Sequence, residues 1–197
     1  MIPRILAFSG SGRRDSLNRK LLAIAIGGAK DAGAKVTSVS LLDYKLPIYD
    51  GDWEAEHGLP DGARALQAQI AEHQGLLIAT PEHNGGYTAL LKNTIDWLSR
   101  PDGAVATGPL AIAGKTAALI SASPGPLGAV RSQLALQISL HKQGVLVIPE
   151  TFALGTAHLA FDAQGLPKDP KVDVAVRGVG AALARSLSHR VEAAAAA

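Results

Sequence analysis

Five short runs of aliphatic and β-branched residues recur along the chain, at 3–8, 35–41, 75–80, 116–120 and 145–148. Longer stretches with helical spacing separate and follow them, at about 17–32, 63–73, 88–98, 128–142 and 172–190. This alternation restricts the fold more than any other feature. It reads as repeated βα units on a mainly parallel, doubly wound α/β sheet with helices on both faces. The third run, GLLIAT, is apolar without alternation, the pattern of a strand covered on both sides, and belongs at the centre of the sheet. No linker or shift in composition interrupts the series, so a single domain over 1–197 is expected.

Composition excludes several classes of function. With 197 residues, 47% of them hydrophobic, the chain can bury a sizeable core. A formal charge of +2 is too small to advertise nucleic acid or a membrane surface, so any basic site must be local. The absence of cysteine removes disulfides, thiolate metal sites and cysteine nucleophiles together. The opening MIPRILAFSGSG is apolar too briefly for a signal peptide, and no apolar run reaches the roughly 18 residues of a membrane helix. A cytoplasmic protein is the expectation. The terminal VEAAAAA reads as a helix end or an appended tail.

In a doubly wound sheet of strand order 2-1-3-4-5, ligands bind beyond the carboxyl ends of the first and third strands, where the order reverses. The loops that follow those two strands are the unusual ones. The first, within FSGSGRRDSLNRKLL, joins a strand to a helix N-terminus, which offers unpaired N–H groups and the positive end of the helix dipole to an anion. Gly10 and Gly12 permit close backbone approach. Ser11, Ser16 and Asn18 supply side-chain donors, and Arg13 supplies a charge-assisted bond. The set points to a phosphate. Arg14, Arg19 and Lys20 read as a solvated face, and Ser16 also suits a helix N-cap.

Other phosphate loops fit worse. There is no G-x-x-x-x-G-K-[ST], and Gly10-x-Gly12 lacks the third glycine of the dinucleotide fingerprint, with Asp15 in its place, although Asp43 after the second strand resembles the ribose-binding acid. The histidines His57, His73, His141, His158 and His189 show no ligand spacing, and no metal site is expected.

The second loop lies in TPEHNGGYTALLKNTIDWLSR. Gly85 and Gly86 let backbone amides lie against a flat ligand, and Pro81 stiffens the exit from the strand. Glu82, His83 and Asn84 are polar where a core needs no polarity. Trp97 and Leu98 have core spacing.

GSGRRDSLN followed by this second stretch resembles the NADPH-dependent FMN reductase family of flavodoxin-like proteins, with its G-S-L-R-x-x-S-x-N loop and its P-E-Y-N-x-S-x-P-x-x-L-K-N-x-x-D-W-x-S-R signature. LPIYDGD, GKTAALISASPGPLGAVRSQLAL and AFDAQG extend the likeness over most of the chain. The resemblance implies FMN, its phosphate held by Ser11, Arg13, Ser16 and Asn18, with Leu17 among the binding residues. Pro81, Glu82, His83, Asn84 and Gly85 would border the isoalloxazine, with Ser123 and Gly125 close to the ring. This chain departs from the pattern at Gly12 (usually leucine), His83 (tyrosine), Gly86 (commonly serine) and Thr88 (commonly proline). His83 supports two readings: stacking where the tyrosine would, or a pH-sensitive hydrogen bond beside the ring.

The activity implied is hydride transfer from NADPH or NADH through FMN N5 to a quinone, azo compound, metal oxyanion or free flavin by a ping-pong mechanism. The flavin carries the chemistry, so no catalytic side chain is expected. A homodimer or homotetramer is also implied, with 44–53 a candidate contact. Two rival readings are an electron-carrying flavodoxin, disfavoured because such carriers present a strongly acidic face, and a non-catalytic FMN-binding regulatory module.

Overall fold

The computed structural model describes residues 2–101 and 110–195, with side chains described up to residue 189. Strand β1 (Arg4–Ser9) leads into helix α1 (Leu17–Asp31), and β2 (Lys35–Ser40) into a 3-10 turn at Leu41–Tyr44. Helices α2 (Gly51–His57) and α3 (Asp61–Ala71) precede β3 (Gly75–Ala79). A small hairpin, β4 (Glu82–His83) and β5 (Gly86–Tyr87), leads to α4 (Ala89–Leu98). Then come β6 (Thr116–Ala122), α5 (Val130–Lys142), β7 (Leu146–Val147), β8 (Phe152–Leu154) and α6 (Pro170–Ala195).

The sheet runs β2-β1-β3-β6-β7, all parallel, with β8 also beside β6. This is the expected 2-1-3-4-5 order of a flavodoxin-like sheet, and β3, buried at every residue, is central. Only the fifth strand departs from the expectation. Its first part, β7, pairs with Thr116 and Ala117, and its second, β8, with residues Ile120 to Ala122. The chain takes five steps from Val147 to Phe152 while β6 takes three from Ala117 to Ile120. The surplus is expelled around Pro149, which has no N–H to offer a ladder.

Two cores form, one on each face. Alternate residues of β1 and β3 (Ile5, Ala7, Leu77, Ala79) meet α1 and α6, while the others (Leu6, Phe8, Leu76, Ile78) meet α3, α4 and α5. Helices α1 and α6 approach unusually closely. A Cβ at Gly28 would collide with the Arg177 carbonyl, and one at Gly180 with that of Ala25.

Residues 43–62, which show neither strand nor helical spacing in the sequence, contain α2, whose N-cap Asp50 accepts from Asp52 N and Trp53 N at 2.9 and 3.2 Å. The segment is strapped to α4. Asn93 donates to the Pro47 carbonyl and accepts from Tyr49 N, both at 2.8 Å, and Trp97 Nε1 donates to the same carbonyl at 2.8 Å. The expected core role of Trp97 and Leu98 holds: they are 0% and 1% exposed. The first five residues of VEAAAAA continue α6, and the last two lie outside the described residues.

The helix contact yields a test. Gly180→Val should lower unfolding free energy by about 3 kcal/mol, the upper end of ordinary overpacking costs. Gly178→Ala, with open space around its Cβ, should be neutral or stabilising by about 0.5–1 kcal/mol. Urea denaturation of both variants measures the difference.

Candidate functional site

The parallel register brings three loops to one level. Ser9 pairs with Ala79 and Ala79 with Ile120, so the segments after β1, β3 and β6 leave the sheet side by side. Between them lies a cleft of ≈ 110 Å³ lined by Ser11, Arg13, Ser16, Leu17, Asn18, Pro81, Glu82, His83, Ala122, Ser123 and Pro124. Nine of the twelve residues singled out in the sequence line it. The other three do not. Asn84 and Gly85 form the exposed tip of the hairpin, and Gly125 donates its N–H to Ser123 Oγ at 3.1 Å.

The loop after β1 is built to donate. Ser11 Oγ accepts from Arg13 N at 3.3 Å, and Ser16, the N-cap of α1, accepts from Arg19 N at 3.3 Å. Ser123 Oγ accepts from Gly125 N. Each hydroxyl thereby engages an oxygen lone pair with the backbone and keeps its O–H proton to donate. The N–H groups of Leu17 and Asn18, in the first turn of α1, have no acceptor within the helix. Among the described residues the Arg13 side chain makes no hydrogen bond or ion pair, and only the charge of Asp15 acts on it. Hydroxyls, helix N-terminus and guanidinium together form a set whose natural complement is an acceptor-only dianion.

The neighbouring charges are differently employed. Lys20, read from the sequence as solvated, bonds Asp15 at 2.7 Å. That hydrogen bond and the ammonium's charge, helped more weakly by Arg13, hold the Asp15 carboxyl below its ordinary pKa. Arg19 donates to Ser40 Oγ at 3.4 Å. A wider groove of ≈ 580 Å³ runs between α1 and α6, but its Lys20 and Arg177 are paired with Asp15, Asp31 and Asp173.

Asn18 differs from the serines. It is 4% exposed, donates to the Ala122 carbonyl at 2.8 Å and accepts from Ala122 N at 3.0 Å. Its amide locks the start of α1 to the end of β6, and so fixes Ser123 relative to Ser11 and Ser16.

The wall opposite is the hairpin, which the sequence reading took for a loop. His83 faces Gly86 across a two-residue turn in which Asn84 (φ 52°) and Gly85 (φ 82°) both adopt the left-handed conformation. This is the geometry that Asn-Gly favours in tight hairpins. Helix α5 braces it. Arg131 Nε donates to Glu82 Oε1 at 2.8 Å, Tyr87 and Ser139 share a hydroxyl hydrogen bond at 2.7 Å, and Ser132 Oγ donates to the Pro81 carbonyl at 2.8 Å. The Glu82 side chain is 10% exposed and forms an ion pair with Arg131. His83 is exposed on this wall. The braces on α5 and the link from Thr88 described below were absent from the sequence-predicted site, because nothing local marks their partners. The Asn-Gly pair was a readable signal of the hairpin.

A sequence model of the NADPH-dependent FMN reductase family matches residues 3–159. The chain belongs to this family. It is 37% identical over 171 residues to an NAD(P)H-dependent FMN reductase of Pseudomonas aeruginosa, covering 85% of this chain and 86% of that one. It is 35% identical over 136 residues to a quinone reductase of Escherichia coli strain K12, covering 68% and 67%. Its fold matches the flavoenzyme NAD(P)H:(acceptor) oxidoreductase FerB of Paracoccus denitrificans with a TM-score of 0.79 and 30% identity, covering 95% and 98%. As a member of this family the chain is an oxidoreductase with FMN as cofactor and NAD(P)H as co-substrate, and it delivers electrons to a small molecule. Among the described residues no helix is long and apolar enough to cross a membrane, and no cluster of His, Asp and Glu has the make-up of a metal site.

The Asn18 clamp is testable in the flavin-free protein. Asn18→Leu leaves the Ala122 N–H and carbonyl buried without partners, and should cost about 2–4 kcal/mol of unfolding free energy. Chemical denaturation followed by far-UV circular dichroism measures the loss.

Proposed function

We propose that this reductase is an NAD(P)H:quinone oxidoreductase whose FMN is anchored by its phosphate in the cleft between the β1–α1 loop and the hairpin. The observation that carries the reading is the concentration of donors on the β1–α1 side of that cleft, opposite the Glu82 wall: Ser11 and Ser16 with O–H protons to give, joined by Ser123 from the β6 side, an Arg13 guanidinium that makes no hydrogen bond or ion pair among the described residues, and the open end of α1. A phosphate monoester dianion has acceptors alone and carries the negative charge that Arg13 and the N-terminal end of α1 complement.

Bound FMN supplies two-electron transfer from the nicotinamide to the acceptor. The protein's own residues have three tasks. Arg13, Ser11, Ser16 and the N–H groups of Leu17 and Asn18 hold the phosphate end. The hairpin, braced on α5 through Arg131, Ser132 and Ser139, forms a rigid wall for the ring, with Pro81, Glu82, His83, Asn84 and Gly85 along it. Ser123, positioned by the Asn18 clamp and with its Oγ accepting from Gly125 N, closes the cleft from the β6 side. His83, exposed on the wall, meets whatever docks there, and neither a nucleophile nor a general base is required.

Electron donor and acceptor use one opening in turn, and the acceptor range extends from quinones to azo compounds, metal oxyanions and free flavin. The relatives named for quinone reduction support the first of these. Self-association as a homodimer or homotetramer belongs to the same reading. Of the candidate contact segment, Tyr49 and Trp53 are packed around Trp97, whereas Ile48 is 87% exposed.

Two measurements test the proposal. Arg13→Ala should raise the FMN dissociation constant by about one to two orders of magnitude, since a charge-assisted contact contributes roughly 1.5–3 kcal/mol. Riboflavin, which lacks the phosphate, should bind both proteins alike, and equal FMN affinity in fluorescence titrations of the two would refute the assignment. In steady-state kinetics, reciprocal plots against NADPH at several quinone concentrations should be parallel; intersecting lines would mean a ternary complex and separate sites.

A further inference from the structure

Two of the three loops that form the cleft, those after β1 and β3, are joined by one hydroxyl. Thr88 closes the hairpin segment and is 3% exposed. Its Oγ1 donates to the Gly10 carbonyl at 2.7 Å and accepts from Leu91 N at 3.2 Å, capping α4. Gly10 N in turn donates to the Ala79 carbonyl at 2.9 Å, so both backbone groups of the first glycine in the phosphate loop are held by the segment that carries the ring wall. The approach is close. A Cβ at Gly10 would lie 3.1 Å from Thr88 Oγ1 and 3.2 Å from Leu91. At the other end of the hairpin segment Thr80, fully buried, shares a 2.5 Å hydroxyl contact with Ser132 of α5. One threonine therefore ties the hairpin outward to α5, and the other ties it inward to Gly10.

A threonine hydroxyl has one proton to donate, and Thr88 gives it to Gly10, 78 residues away, when the cap of α4 needs only its lone pair. The cap alone does not account for that contact. Proline, which the family signature commonly carries here, fits the backbone at this position, since Thr88 has φ −67°, but it has no hydroxyl.

We propose that Thr88 is a positioning residue that sets the distance between the phosphate cradle and the ring wall. The inference rests on the FMN site read above. FMN spans both half-sites, so its affinity depends on their spacing as well as on each half, whereas riboflavin engages the ring half alone. Loss of the tether leaves Ser11, Ser16 and Arg13 in place and lets the cradle drift from the wall.

The experiment compares Thr88→Val, Thr88→Pro and Thr88→Ser with the unmodified full-length protein, stripped of flavin and titrated with FMN and with riboflavin by fluorescence quenching. Thr88→Val and Thr88→Pro should each weaken FMN by about ten-fold, the effect of one lost hydrogen bond with a stranded buried acceptor, and leave riboflavin within about two-fold. Thr88→Ser, which keeps the hydroxyl, should restore FMN affinity to within about three-fold. Proline suits φ −67° and so preserves the fold if valine does not. An unchanged ratio of FMN to riboflavin affinity in Thr88→Val and Thr88→Pro, with or without a lower melting temperature, reduces Thr88 to a helix cap and overturns the proposal. Arg13→Ala in the same titrations separates the two ideas: if it too leaves the ratio unchanged, the phosphate site itself is misplaced.

Discussion

The in-register parallel pairing of β1, β3 and β6 is the constraint on which the rest depends. Because Ser9, Ala79 and Ile120 sit at one level, the ladder continues past the strand ends, with Gly10 N donating to Ala79 and Thr80 N to Ile120. Three loops from distant parts of the chain are thereby delivered to one place already hydrogen-bonded to each other. Burial on both faces fixes that register, since a slip by one residue would exchange the sets that meet α1 and α6 with those that meet α3, α4 and α5.

Above the strands, small side chains give the cleft its character. Serines at 11, 16 and 123 accept from nearby backbone N–H groups, which orders each turn and leaves each proton free. The same economy of parts explains Asn18: its amide matches the donor and acceptor of one peptide unit at Ala122, so a single side chain aligns α1 with β6. Rigidity here favours binding, because a site already arranged loses less entropy when its ligand arrives.

Much of the family signature serves architecture. Asn93 and Trp97 converge on the Pro47 carbonyl, and Arg100 donates to Glu54 at 2.8 Å while lying over Tyr49, so LPIYD and KNTIDWLSR are two halves of one strap. Two motifs separated by some forty residues thus account for each other physically.

What the sequence determined by itself was whatever short-range chemistry controls. The alternation of apolar runs and helical spacing marked a mainly parallel, doubly wound sheet, the unbroken apolarity of GLLIAT placed β3 at the centre, and the Gly, Ser and Arg content of 9–18 marked an anion loop. The Asn84-Gly85 pair is likewise a local signal, the dipeptide that a tight hairpin favours. Tertiary structure decided the rest. That Arg131 would pair with Glu82, that the Asn18 amide would bond the Ala122 peptide, and that Thr88 would reach Gly10 depend on partners 49, 104 and 78 residues away. A hydrogen bond of that range leaves no periodicity in the chain, because its geometry exists only once packing on both faces of the sheet has set the loops side by side.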